Sequence, residues 1–196
     1  MNNTLSREKI ASQIFSVLQK SGAGEKDKAV LDIGCSEGII ANYLASKYKK
    51  VVGVDIDTPA VESAKRDYKK KNLQFLEMNG EKLTFLAQSF DIVVCNQVYM
   101  YFKNPEKLFQ EIRRVLKPGG ICFLGAVNKY SWTAITHPEY SYKLWWELQR
   151  LCVGFTVTSY SPYVVRSKYK ALQWVPNGLV SFLAPLLPNF VWILQK

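Results

Sequence analysis

The stretch "AVLDIGCSEG", Ala29 to Gly38, decides how this chain is read. An apolar run carries into Asp32, and two glycines, Gly34 and Gly38, then bracket small or polar residues. A short apolar run bounded by glycine is the pattern of a buried strand ending in a tight turn. Glycine at such a corner lets the backbone approach a ligand closely, and open parallel sheets bind ligands beyond the carboxyl ends of their strands. The corner therefore predicts a nucleotide-like cofactor. The spacing Gly34-x-x-x-Gly38 is neither the dinucleotide fingerprint G-x-G-x-x-G nor the phosphate loop G-x-x-x-x-G-K-S/T.

Outward from the corner, strands and helices alternate. "SREKIASQIFSVLQK" reads as a helix capped by Ser6, with Ile10, Ile14, Val17 and Leu18 on one face. "EGIIANYLASKY" is a helix, and "KVVGVDID" a second strand that ends in acids. "TPAVESAKRDYKKK" is a helix with Thr58 as cap and Pro59 in its first turn. "LQFLEM" and "SFDIVVCNQV" are strands. "NPEKLFQEIRRVLKPGG" is a helix opened by Asn104 and closed by Lys117-Pro118-Gly119-Gly120, and "GICFLGAV" is a fifth strand. This alternation predicts βαβ units and a parallel sheet covered on both faces. After Val127 the chain becomes aromatic-rich. A loop, a helix over Tyr140 to Leu151, the strand "GFTVTSYSPYV", a loop and helix over 166–188 and a last strand "NFVWILQK" complete the expectation.

With 48% apolar and 21% charged residues, 196 residues suffice for one domain with a proper core. The net charge is +10, and no Asp or Glu follows Glu147, so the basic C-terminal region suits an anionic partner or peripheral contact with a membrane surface. The run Leu179 to Leu194 is shorter than the ~20 residues a spanning helix needs, and Pro185 and Pro188 interrupt it. Cys35, Cys95, Cys122 and Cys152 are widely separated, which argues against a zinc site. No metal is expected, and the absence of a visible signal peptide points to the cytoplasm.

Asp55 ends the second strand about twenty residues beyond the glycines, where an acid can accept hydrogen bonds from both ribose hydroxyls. With these residues in view, the chain resembles the class I S-adenosylmethionine-dependent methyltransferases, particularly the small-molecule, quinone-biosynthesis-like group. "VLDIGCSEG" looks like that family's first motif and "VVGVDID" like its ribose-binding strand. "NGEKLTF" looks like the adenine-side segment, and "SFDIVVCNQVYMYFKNPEKLFQEIRRVLKPGG" like the fourth strand and following helix. The resemblance runs unbroken from Ala29 to Asn128. It implies a Rossmann-like α/β fold: a mostly parallel seven-stranded sheet with an antiparallel last strand and helices on both faces. One domain would comprise an N-terminal helix and loop (1–28), a cofactor core (29–128) and an acceptor-side segment with closing strands (129–196).

The resemblance further implies S-adenosyl-L-methionine as cofactor and S-adenosyl-L-homocysteine as product. Asp32, Gly34, Cys35 and Gly38 would surround the methionine end, Asp55 the ribose and Ile56 the adenine. Asn79 and Gly80 would lie near the adenine amine, and Asn96 and Gln97 near the sulfonium. The reaction would be methyl transfer by in-line displacement to a small molecule, at oxygen. His137, the only histidine, is the candidate general base. Tyr99, Tyr101 and Trp132 are candidates for the acceptor side. "NQVY" stands where base-modifying amino-methyltransferases usually carry an Asn/Asp-Pro-Pro-aromatic stretch, so nucleic acid is not the expected partner. The alternatives are a nucleic-acid-modifying methyltransferase, which the positive charge favours, and a non-catalytic cofactor-binding module. An NAD-dependent oxidoreductase fits the glycine spacing worst.

Overall fold

The structure, a computed structural model, describes residues 2–127, 129, 132–161 and 189–196. Its elements run α1 (Asn2–Lys20), β1 (Ala29–Ile33), α2 (Ile39–Leu44), β2 (Lys50–Asp55), α3 (Thr58–Asp67), β3 (Leu73–Glu77), β4 (Phe90–Asn96), a 3-10 turn (Tyr99–Tyr101) and α4 (Pro105–Val115). They continue with β5 (Leu116–Val127), α5 (Trp132–Thr136), α6 (Trp145–Leu151), β6 (Thr156–Ser161) and β7 (Asn189–Gln195). The seven strands form one sheet in the order β3-β2-β1-β4-β5-β7-β6. β1 to β5 pair in parallel, and β7 inserts antiparallel between β5 and β6. This is the expected Rossmann-like fold. The order reverses around β1, which places the β1 and β4 carboxyl ends side by side at the switch point.

Both sheet faces are covered, which is why the central strands are near-continuous in apolar residues rather than alternating. On one face Ile14 and Leu18 of α1, Leu44 of α2 and Val61 of α3 pack on Val30, Ile92 and Phe123. On the other, Leu108, Ile112 and Val115 of α4 and Leu148 of α6 pack on Leu31, Val93 and Leu124. Successive strand residues thus serve opposite cores.

Several boundaries differ from the sequence expectation. α1 starts at Asn2, so Ser6 lies inside it rather than capping it. The α3 cap is Asp57, whose carboxylate accepts the Ala60 N–H at 3.3 Å; Thr58 is the first helical residue and donates instead to Glu77 Oε2 at 2.8 Å. α4 stops at Val115, before the Lys-Pro-Gly-Gly run, because its last carbonyls are taken from the side. Gln88 N–H bonds Arg114 O at 3.0 Å and Ser89 N–H bonds Val115 O at 2.8 Å. Leu116 already pairs with Phe90, and the sheet then shifts register before Ile121. Trp132–Thr136, expected as loop, is helical, and α6 begins at Trp145 rather than Tyr140. The expected helix over 166–188 lies outside the described residues. Among the described residues, no helix is long and apolar enough to cross a membrane, and no cluster of ligating side chains could hold a metal.

Candidate active site at the carboxyl ends of the strands

A crevice of about 770 Å³ opens where β1, β2 and β4 end. Its floor is the corner after β1. Gly34 and Gly38 have φ of 75° and 79°, a region that side chains rarely adopt. A Cβ on Gly34 would strike the Val98 side chain, and one on Gly38 would meet the Phe75 ring at 2.5 Å. Protein packing and backbone conformation therefore fix both glycines before any ligand does. Four backbone donors of this corner, those of Gly34, Cys35, Ser36 and Gly38, are already bonded within the protein. Gly34 and Cys35 N–H bond Val54 O, at 2.8 and 3.1 Å, and Gly38 N–H bonds Cys35 O at 2.9 Å. The Ser36 N–H bonds Asp55 Oδ2 at 2.7 Å. A pyrophosphate needs such donors, and these four are not available to it. α2, six residues long, adds little dipole to compensate.

Asp55 ties the corner to the second strand. Its Oδ1 accepts the Asp57 N–H at 3.0 Å, so each oxygen carries one backbone bond and keeps a lone pair for a hydroxyl. Next to it, Ile56 is 69% exposed within the crevice, a free apolar platform beside a carboxylate. Asn79 and Gly80 form the neighbouring wall; Asn79 Oδ1 accepts the Glu81 N–H at 2.9 Å, which occupies one of its two lone pairs. Asn96 and Gln97 also line the crevice. Asn96 Oδ1 lies against Gly125, where a Cβ would collide with it, and Gln97, at φ 56°, donates its N–H to Gly125 O at 2.7 Å.

Asp32 stands beneath the crevice rather than in its lining. It is 2% exposed, and its Oδ2 has no hydrogen-bond partner. Burial, with the Asp55 charge nearby, pushes its carboxyl up to about 8. One oxygen of this buried acid is thus left without a partner beneath the corner, which favours a donor or a cation above it over an anion. Cys35 lines the crevice, but burial and the two nearby carboxylates push its thiol far above the usual range, which removes it as a nucleophile.

The acceptor-side candidates separate. Tyr101 lines the crevice, 58% exposed, and meets the Tyr140 ring edge-on at 4.5 Å. Tyr99 does not line it. Tyr99 is fully buried, its hydroxyl donating to Val127 O at 2.8 Å and accepting the Lys143 N–H at 3.2 Å, so it pins the post-core segment instead. Trp132 begins α5. His137 is exposed, with Nδ1 3.2 Å from Glu139 Oε1, and is not part of the crevice lining; the Tyr140 ring, 6.1 Å away, stands next to it. Sequence reading missed Arg7 and Ile10, which α1 lays along the crevice by packing beside α2. Their spacing of three, continuous with the apolar face at Ile14, is the only signal they leave in the sequence.

Comparison with known proteins agrees with this geometry. Residues 31–124 match the family described as "Methyltransferase domain". A ubiquinone biosynthesis O-methyltransferase of Coxiella burnetii is 31% identical over 125 residues, 61% of this chain and 53% of that protein. The chain thus matches about half the length of such curated relatives. Among solved structures, a putative methyltransferase of Bacillus halodurans superposes with a TM-score of 0.70 at 18% identity, over 93% of this chain and 98% of its own. The cyclase SpnF superposes as well, with a TM-score of 0.71 at 17% identity, over 96% and 81%. The same scaffold therefore carries different chemistry, and the site must decide between them. Sheet order, corner and matched motifs converge: residues 31–124 resemble a methyltransferase domain of the class I, S-adenosylmethionine-dependent kind, similar to the quinone-biosynthesis group.

Proposed function

We propose that this chain transfers a methyl group from S-adenosyl-L-methionine to an oxygen of a small-molecule acceptor by in-line displacement, with S-adenosyl-L-homocysteine as product. The observation that carries this is the Asp55–Ile56 pair beside a corner where four N–H groups are already bonded: a carboxylate with free lone pairs, an exposed apolar platform and, beneath them, an acid with one unpartnered oxygen, Asp32. That set fits a ribose, an adenine and an ammonium group, and the crevice volume is of ligand size. When bound, the cofactor supplies a sulfonium-activated methyl group with a neutral leaving group.

The chain's own residues bind, orient and exclude water. Gly34, Cys35 and Gly38 hold the methionine end from below, over Asp32. Arg7 offers that end's carboxylate a cation; its guanidinium stands 3.4 Å from Glu37. Asn79 and Gly80 border the adenine, and Asn96 and Gln97 the reacting sulfur. Tyr101, with Tyr140 behind it, holds the acceptor in line, and positioning is most of what this reaction needs. Residues 129–196 serve as the acceptor-side segment and closing strands. Among the described residues, the crevice lining contains no histidine, so the favoured acceptor is one whose own hydroxyl ionises readily, a phenol or catechol rather than an alkyl alcohol. The names of the quinone-biosynthesis relatives support the same class.

Calorimetry with S-adenosyl-L-homocysteine, followed by labelled-methyl transfer to a panel of catechols, phenols, anilines and RNA, tests this. The expected result is micromolar-range binding and a methyl ether from a catechol or phenol. Product bound with no transfer to any acceptor favours a binding module, and no binding at all overturns the site.

A further inference from the structure

The end of the sheet opposite the crevice has an unusual surface. All seven strands begin or end there. Lys49 and Lys50 open β2, Lys71 precedes β3, Arg113 closes α4 as it runs into β5, and Arg150 closes α6 ahead of β6. Among the described residues none of these five cations has an ion-pair partner, whereas the acids nearby are mostly answered locally. Asp91 is held by Lys117 at 2.9 Å, Glu111 by Arg114 at 2.7 Å and Glu25 by Lys28 at 2.7 Å; the acids left over are Asp27 and Glu106, the latter lining the same groove as Arg113 and Arg150. The surplus is positive over about 29 Å, the width of seven strands at ~4.8 Å spacing.

The same end carries the two most exposed large apolar side chains among the described residues. Leu86, 82% exposed, sits in the turn leading to β4, where Ser89 Oγ donates to its carbonyl at 2.7 Å. Val153, 76% exposed, sits in the turn between α6 and β6 and lines a groove with Arg113 and Arg150. Charge alone is the mark of any solvated basic face. Aliphatic tips projecting among unpaired cations are a second, independent signal, and stable attachment to a bilayer needs two such signals. A nucleic acid would instead call for exposed rings on which bases stack. Of the exposed aromatic residues of the described chain, Tyr101 lies in the crevice and Trp146 stands one helical turn from Arg150, a single ring rather than a row on which bases could stack.

We propose that this end of the molecule docks on an anionic lipid surface, with Leu86 and Val153 entering the headgroup layer and the five cations facing lipid phosphates. The crevice then faces the aqueous side, about 17–23 Å from the bilayer, the length of strands of five to seven residues. The proposal uses none of the basic positions 166, 168 and 170, which lie outside the described residues, and it does not depend on the methyltransferase assignment.

Co-sedimentation of the full chain with vesicles tests it, using phosphatidylcholine alone and phosphatidylcholine with about one third phosphatidylglycerol, in about 0.1 and 0.5 M salt. The chain is expected to pellet with the anionic vesicles and to be released by salt. The triple variant Lys49→Glu, Lys71→Glu, Arg150→Glu is expected to bind at least about thirtyfold more weakly. Leu86→Ser with Val153→Ser is expected to lose about tenfold. Thermal melts of both variants report that the fold is kept. Equal binding to neutral vesicles, or undiminished binding by the folded triple variant, overturns the assignment. So does salt-sensitive binding to RNA that the Leu86→Ser, Val153→Ser variant retains while no vesicle binds, and that outcome gives the face to nucleic acid.

Discussion

Asp55 Oδ2 accepts the Ser36 backbone N–H at 2.7 Å, so the carboxylate proposed to hold the ribose is also a structural brace of the first β-to-α corner. The same carboxylate accepts the Asp57 N–H, which sets the start of α3. One side chain thus couples the corner and the next helix to the proposed ribose subsite. Asp55→Ala is expected to weaken binding of S-adenosyl-L-homocysteine by roughly 1.5–3 kcal/mol, the worth of hydrogen bonds to a charged group. It also strands two backbone donors, so the melting temperature should fall. Calorimetry that finds unchanged affinity in a folded Asp55→Ala protein removes Asp55 from the ribose.

The buried carboxyl of Asp32 makes stability depend on pH. Its folded pKa, raised to about 8 by burial and by Asp55, lies above the unfolded value, so the folded state holds the proton more tightly. Its stabilising contribution is full below about pH 4 and is lost as pH rises through 8. Asp32→Asn removes that titration. Denaturant unfolding from pH 5 to 9 should show the parent chain losing stability with pH while the variant's curve stays flatter. Parallel curves would show that Asp32 is charged throughout.

Tyr99 was a reasonable acceptor-side candidate from its place after the fourth strand, and its burial moves it to a different role. Tyr99→Phe keeps the ring but removes the bonds to Val127 and Lys143. The expected cost is about 1–3 kcal/mol of stability, because two buried backbone groups lose a partner, with cofactor affinity unchanged. A variant as stable as the parent but with a raised acceptor KM would return Tyr99 to the substrate.

Much of the sheet was legible in the sequence because its strands are short apolar runs with glycine or acids at their ends, and each such run carries its own local signal. The corner and Asp55 were legible for the same reason. What the sequence hid came from contacts between distant segments. The end of α4 is set by Gln88 and Ser89, which reach its carbonyls from another loop, while the Lys-Pro-Gly-Gly run falls within β5. Asp57 displaces Thr58 as the α3 cap because the Asp55 carboxylate holds its backbone N–H in place. The burial of Tyr99 and the separation of His137 from the crevice depend on how residues 132–144 fold back, with Ser141 N–H on Met100 O, and no local pattern encodes that.

His137→Ala separates the sequence expectation from the geometry. An imidazole outside the crevice lining, 3.2 Å from Glu139, stands behind the Tyr140 ring and not at Tyr101, where the acceptor is proposed to sit. Its replacement should change kcat by less than about threefold, whereas loss of a general base costs about a hundredfold or more. Tyr101→Ala should instead raise the acceptor KM with little change in cofactor affinity. A hundredfold loss of kcat in His137→Ala, with cofactor binding intact, would restore histidine as the base.

Arg7 gives the sharpest test of how the cofactor's methionine end is held. It reaches the crevice from α1, far from the motifs that define the domain. Arg7→Met keeps most of the stem's packing and removes the cation. Affinity for S-adenosyl-L-homocysteine should fall about tenfold, consistent with one charge-assisted hydrogen bond of 1.5–3 kcal/mol. Decarboxylated S-adenosylmethionine lacks the group Arg7 is proposed to meet, so parent and variant should bind it equally. Because the Glu37 contact is exposed, its loss alone should leave the melting temperature nearly unchanged. If the variant weakens both ligands by the same factor, Arg7 acts by holding α1 over the corner, and the carboxylate is met by another group.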